Sequence, residues 1–286
     1  MENNLLRTLI YDDEVSLTLA DTTEMVREAG RLHALSRTSL QAFGKALSLM
    51  TFMSACLKEE SGEISLSVKG DKVGEIAVSG NRRLHVRGYI LNTMAEGRGD
   101  EGSERALLGK DSFVTIIRDD GYNRPFVGAC AFPENAGLDE GFEEYFRISE
   151  QLPTRLYTKV ELNEEGICEF AGVIAVQPLP FASEKTLREV KELSLSEILE
   201  KVKNGGTMYA LKQSFDVNEL AQEERFAAYK CNCSREYLTR VLVSLGENQL
   251  RQIIKEDGAA RIHCHYCNTD YEFTDEDADK IFNKEQ

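Results

Sequence analysis

The sequence predicts an α+β protein in three parts: an N-terminal mixed domain with a largely antiparallel sheet and packed helices over 1–180, a helical linker over 181–230, and a small C-terminal domain over 231–286. Three observations lead there. Apolar residues recur with period two through much of the first part, between tight turns and helices, without a regular βαβ rhythm. After Pro178-Leu179-Pro180 the text turns helical, and all five prolines lie at or before Pro180. Four of the seven cysteines fall in two tight clusters, Cys231-Asn232-Cys233 and Cys264-His265-Tyr266-Cys267.

Taken in order, Leu5 to Leu19 reads as one or two strands with a turn at Asp12-Asp13-Glu14. A helix follows, with Thr22 or Thr23 as its cap and Met25, Ala29 and Leu32 on one face. A second starts near Ser39 and carries Leu40, Phe43, Leu47, Met50 and Leu57 at helical spacing; its broad apolar face predicts a central, buried helix. From Glu63 the period changes to two: Ile64, Leu66 and Val68, then Ile76 and Val78, then Leu84, Val86 and Tyr89, with turns at Gly70-Asp71 and Gly80-Asn81. That is an antiparallel meander. Further strands are expected over 113–117, 126–132, 156–162 and 167–176, with a helix over 138–151 presenting Phe142, Tyr145 and Phe146.

The linker reads as short amphipathic helices through Leu187, Val190 and Leu193, then Leu195, Ile198, Leu199 and Val202, broken at Gly205-Gly206, with more helix over 217–225. Helices of this kind depend on docking to a neighbour. Either the segment is a labile connection between two domains, or it is a helical extension packed permanently on the first. In the last part Ser234 caps a helix bearing Tyr237, Leu238, Val241, Leu242 and Leu245, and Gly246 ends it. A second helix holds Leu250, Ile253 and Ile254 and stops by Gly258. A hairpin over 261–273 carries the CxxC at its tip, and Thr274 with Asp277 opens a final helix holding Ile281 and Phe282.

The formal net charge of −15 argues against a nucleic-acid groove or an anionic membrane surface as the main partner. No basic-then-apolar leader opens the sequence, and no apolar run approaches the roughly 18 residues of a membrane span. The expectation is a soluble, cytoplasmic protein. In a reducing compartment, clustered cysteines point to metal binding or redox work rather than a disulfide frame.

The spacing suits zinc. Residues at i and i+3 across a tight turn can place two sulfurs on one ion, and in an extended segment i and i+2 project from the same side. Cys231, Cys233, Cys264 and Cys267 are therefore the candidate ligands of one zinc ion, and 231–286 is read as a small zinc-binding domain. A segment this short is near the limit for a hydrophobic core alone, so a metal would supply much of its folding energy. The site could be a ribbon that only holds the fold together. It could also be redox-active, since zinc keeps thiols as thiolates, and a disulfide in either pair removes two ligands. The Cys264–Cys267 pair closes more readily than the strained CxC. Glu256, Asp257, Asp270, Glu272, Asp275, Glu276 and Asp277 surround the site in sequence, which disfavours a nucleic-acid ribbon.

Around these cysteines the text resembles the thirty-three-kilodalton heat-shock protein family of bacterial redox-regulated holdase chaperones. The resemblance runs from the first domain to the end. It is carried by Cys231-Asn232-Cys233-Ser234-Arg235-Glu236, Leu245-Gly246, Glu256-Asp257-Gly258 and Cys264-His265-Tyr266-Cys267-Asn268. In the first domain Val68-Lys69-Gly70-Asp71, Val86-Arg87-Gly88-Tyr89, Ser149-Glu150-Gln151-Leu152-Pro153-Thr154 and Val176-Gln177-Pro178-Leu179-Pro180 carry it. The resemblance implies a chaperone that is not an enzyme, inactive while reduced and zinc-bound. Hypochlorous acid, or peroxide with heat, would form the disulfides Cys231–Cys233 and Cys264–Cys267 and release the zinc. The linker and C-terminal region would then unfold, and a homodimer would bind unfolded or oxidatively damaged client proteins without ATP. The alternative is an enzyme or adaptor whose zinc ribbon is purely structural.

Other signals point elsewhere. Gly97-Arg98-Gly99-Asp100-Glu101-Gly102 matches a dinucleotide fingerprint literally, but its acids would repel phosphates and no βαβ unit surrounds it. Gly109-Lys110 precedes Asp111 and is no P-loop. His263 and His265 could compete as ligands, although four thiolates already complete a shell. His33, placed in a helix, and His85, in a strand, read as structural, and Cys56, Cys130 and Cys168 as core thiols.

Overall fold

The computed structural model describes residues 4–97, 104–216 and 223–282. The chain forms two compact units, Met1–Lys230 and Cys231–Gln286. The architecture is α+β, but the first unit holds two sheets where one was expected.

One sheet has five strands. β1 (Asn4–Ile10) and β2 (Val15–Asp21) form the N-terminal hairpin, turning through Tyr11, Asp12 and Asp13, all at positive φ. β2 pairs with β9 (Cys168–Pro178), and β9 with β8 (Arg155–Leu162), all antiparallel. The other sheet is the meander β3 (Glu63–Gly70), β4 (Gly74–Asn81) and β5 (His85–Ile90), extended on the far side by β6 (Phe113–Asp119) and β7 (Phe126–Ala131). Period-two alternation sends Ile64, Leu66, Val68, Ile76, Val78 and Val86 into one core.

That core is built on a helix. α1 spans Thr23–Leu32, and α2, Arg37–Ala55, lies between the sheets, packing against β4 and β5 on one side and β8 and β9 on the other. Nearly all of α2 is buried, as its broad apolar face requires. Its cap is Ser36, whose hydroxyl accepts from the Ser39 amide at 3.2 Å; the helix ends at Ala55, so Leu57 lies beyond it. At α1, Thr22 occupies the cap position without capping. Its hydroxyl pairs with Ser48 on α2 at 2.6 Å, and Asp21 accepts from the Thr23 amide instead. His33 lies just past this helix, buried against Phe43 and beside the Tyr229 hydroxyl at 3.1 Å.

β9 explains its own unbroken apolar run. Ala171, Val173 and Ala175 face the α2 core, while Phe170, Ile174 and Val176 face the opposite side of the five-stranded sheet. On that opposite side pack α5 (Glu184–Glu192) and α6 (Leu195–Ser214), through Val190, Leu195, Ile198, Leu199, Val202, Ala210 and Leu211. Between the sheets' strands run α3 (Glu104–Leu108) and α4 (Leu138–Tyr145), and α4 passes into a π-helical turn, Phe146–Glu150.

The stretch expected as a connecting linker is therefore docked, within the first unit. Gly206, at φ 85° and ψ 174°, is non-helical and breaks α6 into two helical segments, as the sequence predicts. The helix expected over 217–225 falls partly on residues outside the described set. Glu223–Phe226 instead forms strand β10, antiparallel to the open edge of β1. Ala228–Tyr229, as β11, adds a parallel bridge to β5. An edge strand's free donors and acceptors outweigh helix propensity here. Polar contacts fasten the docked helices. Arg155 donates to the carbonyls of Val190, Lys191 and Leu193 at the end of α5, and Lys159 and Lys203 pair with Glu200 and Glu161 across α6 and the sheet. At the start of α5, Glu14 accepts from the Ser183 amide at 3.0 Å and its hydroxyl at 2.9 Å.

Two outcomes follow from these contacts. A Cβ on Gly70 would lie 2.6 Å from the Leu108 carbonyl oxygen and 2.7 Å from its Cα. Gly70→Ala should therefore cost about 1–3 kcal/mol, read as a lowered denaturation midpoint. Glu14 sits below its ordinary value of 4.5, held there by the Thr186 hydroxyl and then by Ser183. A depressed carboxylate contributes stability above its unfolded pKa and loses it as pH falls through the folded one. Amide-exchange protection of α5 should hold from neutral pH down to about 4.5 and decline below it, and Glu14→Gln should abolish that acid dependence.

Candidate metal centre

The second unit assembles the cysteines. The Ser234 hydroxyl caps α7 (Arg235–Leu245), accepting from the Tyr237 amide at 3.1 Å, and fixes the exit of the extended Cys231–Cys233 segment. Gly246, at φ 95°, turns the chain into α8 (Glu247–Asp257), which Gly258 ends in the left-handed region. β12 (Ala260–Cys264) and β13 (Thr269–Phe273) form the hairpin, with Cys264 opposite Thr269. Asn268, at φ 52°, closes the turn that holds Cys267. Asp277 accepts from the Thr274 amide at 2.9 Å and opens α9 (Asp275–Phe282). The core here is small: Leu238, Leu242, Leu250, Ile254, Ala260, Phe273 and Ala278. Tyr237, Val241, Leu245 and Ile253, expected on the apolar faces of these helices, are exposed.

The sulfurs of Cys231, Cys233, Cys264 and Cys267 all lie within 4.8 Å of one another. Two contacts join the clusters: Cys231 to Cys264 at 3.7 Å and Cys233 to Cys267 at 3.2 Å. Zn–S bonds of ~2.3 Å in a tetrahedron put sulfurs about 3.8 Å apart, so this quartet has the size of a four-thiolate shell. Disulfides would need about 2.05 Å, and all seven cysteines are free. The donor set fits zinc, being soft, four-fold and closed.

Hydrogen bonds support the sulfurs. The Cys233 amide donates to the Cys231 sulfur at 3.4 Å, and the Tyr271 hydroxyl lies 3.3 Å from the Cys233 sulfur. Burial works against the Cys233 thiolate, but hydrogen bonds from Tyr271, Cys267, Cys231 and Cys264 outweigh it and bring this thiol down to about 7. Burial raises Cys231, and it pushes Cys267 up to about 11. Negative charge thus gathers first on Cys233, and a bound metal would hold the other three as thiolates too.

The remaining candidates stay apart. His263 pairs with Asp270 at 2.7 Å, its ring edge-on to His265, and neither histidine joins the quartet among the described residues. Burial raises Cys56, Cys130 and Cys168, the last to about 12, so these thiols stay protonated at neutral pH. His85 opens β5. Most of the literal glycine fingerprint falls outside the described residues. Among the described residues no helix is long and apolar enough to cross a membrane. Tyr271 is the residue in contact with the quartet that motif reading passed over. Its signal was faint: a tyrosine four residues beyond the CxxC, on the returning strand.

Comparison with known proteins agrees with this geometry. The family model described as Hsp33 protein matches residues 3–274. The chain belongs to the Hsp33 family. The 33 kDa chaperonin of Bacillus cereus (strain AH187) is 32% identical over 287 residues, spanning 97% of this chain and 97% of that protein. The 33 kDa chaperonin of Bacillus anthracis (strain CDC 684 / NRRL 3495) matches to the same extent. A crystal structure of the 33 kDa chaperonin of Thermotoga maritima shares the fold, with a TM-score of 0.83 at 24% identity over 99% of each chain. Hsp33-family chaperones are not enzymes, which removes the enzyme alternative for this chain.

Losing one of four thiolates should remove about a quarter of the ~10–16 kcal/mol typical of structural zinc binding, or roughly two to three decades of affinity. Cys264→Ser should show that loss in competition with a chromophoric chelator, together with reduced helical signal from the second unit.

Proposed function

We propose that this Hsp33-family protein is an ATP-independent holdase switched on by oxidation. In this reading residues 1–180 form the core domain, 181–230 the switch linker and 231–286 the redox-switch domain. The observation that carries it is the four-sulfur set in a unit whose core is too small to be secure alone. When bound, zinc would cross-link the CxC segment and the hairpin and hold all four sulfurs as thiolates.

Oxidation acts on those thiolates. Cys264 and Cys267, facing each other across a tight turn, give two electrons to hypochlorous acid and form one S–S bond, leaving chloride and hydroxide. Cys231 and Cys233 do the same with a second equivalent. Each disulfide removes two of the four ligands, and the quartet no longer holds the ion. The second unit then loses its cross-link and unfolds.

The linker reading draws support from the docking of α5 and α6. Their apolar residues cover Leu6, Leu17, Leu19, Ile174 and Val176 on the five-stranded sheet. Release would expose both apolar faces, a surface of the kind that unfolded clients bind. The relatives' printed description as chaperonins supports the client class. The working state is proposed to be a cytoplasmic homodimer.

Light scattering of a heat-unfolded client is the test. The reduced protein should leave aggregation unchanged. Protein treated with hypochlorous acid should suppress it without ATP, lose its zinc, and return to inactivity under dithiothreitol. Equal suppression by both forms, with zinc retained after oxidation, would sink the switch and leave a purely structural ribbon.

A further inference from the structure

The quartet is not symmetric. Tyr271 stands on β13 opposite Ile262, and its ring packs against the small core of the second unit. The ring is thus fixed by packing, and its hydroxyl reaches the sulfur of Cys233 at 3.3 Å. Cys231 instead takes the backbone amide of Cys233 at 3.4 Å. One sulfur of the CxC pair is therefore supported by a phenol from strand β13, the other by its own chain's backbone.

A hydrogen bond donated to a thiolate draws electron density from the sulfur. The lone pair that would attack an oxidant is the one engaged by the proton. The same bond offsets charge in a shell of four thiolates around a divalent ion, where two negative charges remain uncompensated. Both effects act in one direction: they make that sulfur slower to oxidise and the ligand harder to detach.

We infer that Tyr271 is a positioning residue of the redox site, whose hydroxyl guards Cys233 and sets the oxidant threshold at which the CxC pair lets go of the metal. The inference rests on the proposed redox reading and adds to it a named determinant outside the cysteines. It also explains why a tyrosine occupies this place on β13. A phenylalanine would pack against the same core and leave Cys233 without its phenol.

The test compares the full-length reduced, zinc-loaded chain with Tyr271→Phe, which keeps the ring and removes one oxygen. Zinc release under limiting hypochlorous acid is followed with a chromophoric chelator, and the early disulfides are mapped by alkylation and mass spectrometry. One hydrogen bond to a charged sulfur predicts release roughly tenfold to 150-fold faster in the variant. The Cys231–Cys233 disulfide should form a larger share of the early products. Cobalt-substituted protein supplies a readout independent of oxidation. Its sulfur-to-metal charge-transfer band should move to longer wavelength when the phenol proton is gone.

Equal release rates and an unmoved cobalt band, with wild-type zinc still lost on oxidation, would overturn this inference and leave the redox switch standing. Wild-type protein that keeps its zinc under oxidant would overturn both. A reduced Tyr271→Phe chain that holds no zinc would assign the hydroxyl to assembly of the site, and that result also overturns the role proposed here.

Discussion

Convergence of four sulfurs from two short segments is the constraint on which the second unit depends. Without an ion the quartet would be four partly buried thiols, some strained toward the protonated form by burial and by one another. With an ion they become the cross-link that ties the segment before α7 to the hairpin β12–β13. The neighbouring structure is arranged around that need. Ser234 caps the helix that follows the CxC segment, Asn268 tightens the CxxC turn, and Tyr271 braces one sulfur from strand β13. The apolar core that remains is a handful of side chains, so a bound metal would share with it the task of holding the fold.

The first unit solves a different problem. A five-stranded sheet with apolar residues on both faces needs cover on both. α2 covers one face together with the second sheet, and α5 and α6 cover the other. The two coverings differ in character. α2 is buried almost end to end, whereas α5 and α6 expose one side and are fastened at their margins by Arg155, Lys159, Lys203 and Glu14. The proposed switch asks this layer, charged at its margins over an apolar seam, to detach while the core beneath it stays intact.

Much of this was legible in the text. Period-two alternation marked the meander, because a sheet with one face inward sorts residues by parity. The broad apolar face of residues 37–55 marked the central helix. Ser234, Gly246, Gly258 and the Thr274–Asp277 pair marked helix ends, since these depend on local backbone chemistry. The cysteine spacing marked the candidate metal site for the same local reason. What escaped was decided by partners far away in the chain. Thr22 gave its hydroxyl to Ser48 instead of its own helix. Residues 223–226 became a strand because β1 offered an open edge. Tyr237 and Val241 kept helical spacing yet stayed exposed, because the small core reaches only Leu238 and Leu242 on α7.

Sequence alone determined the fold class, the Hsp33 resemblance and the identity of the four cysteines, since each follows from short-range pattern and residue chemistry. Only the tertiary structure decided that the described residues of the first unit form two sheets and that residues 184–214 dock on the outer face of one of them. It alone brought the four sulfurs to the spacing of a single shell and set a tyrosine hydroxyl against one of them. Those outcomes depend on which distant surfaces meet, and that is a property of packing.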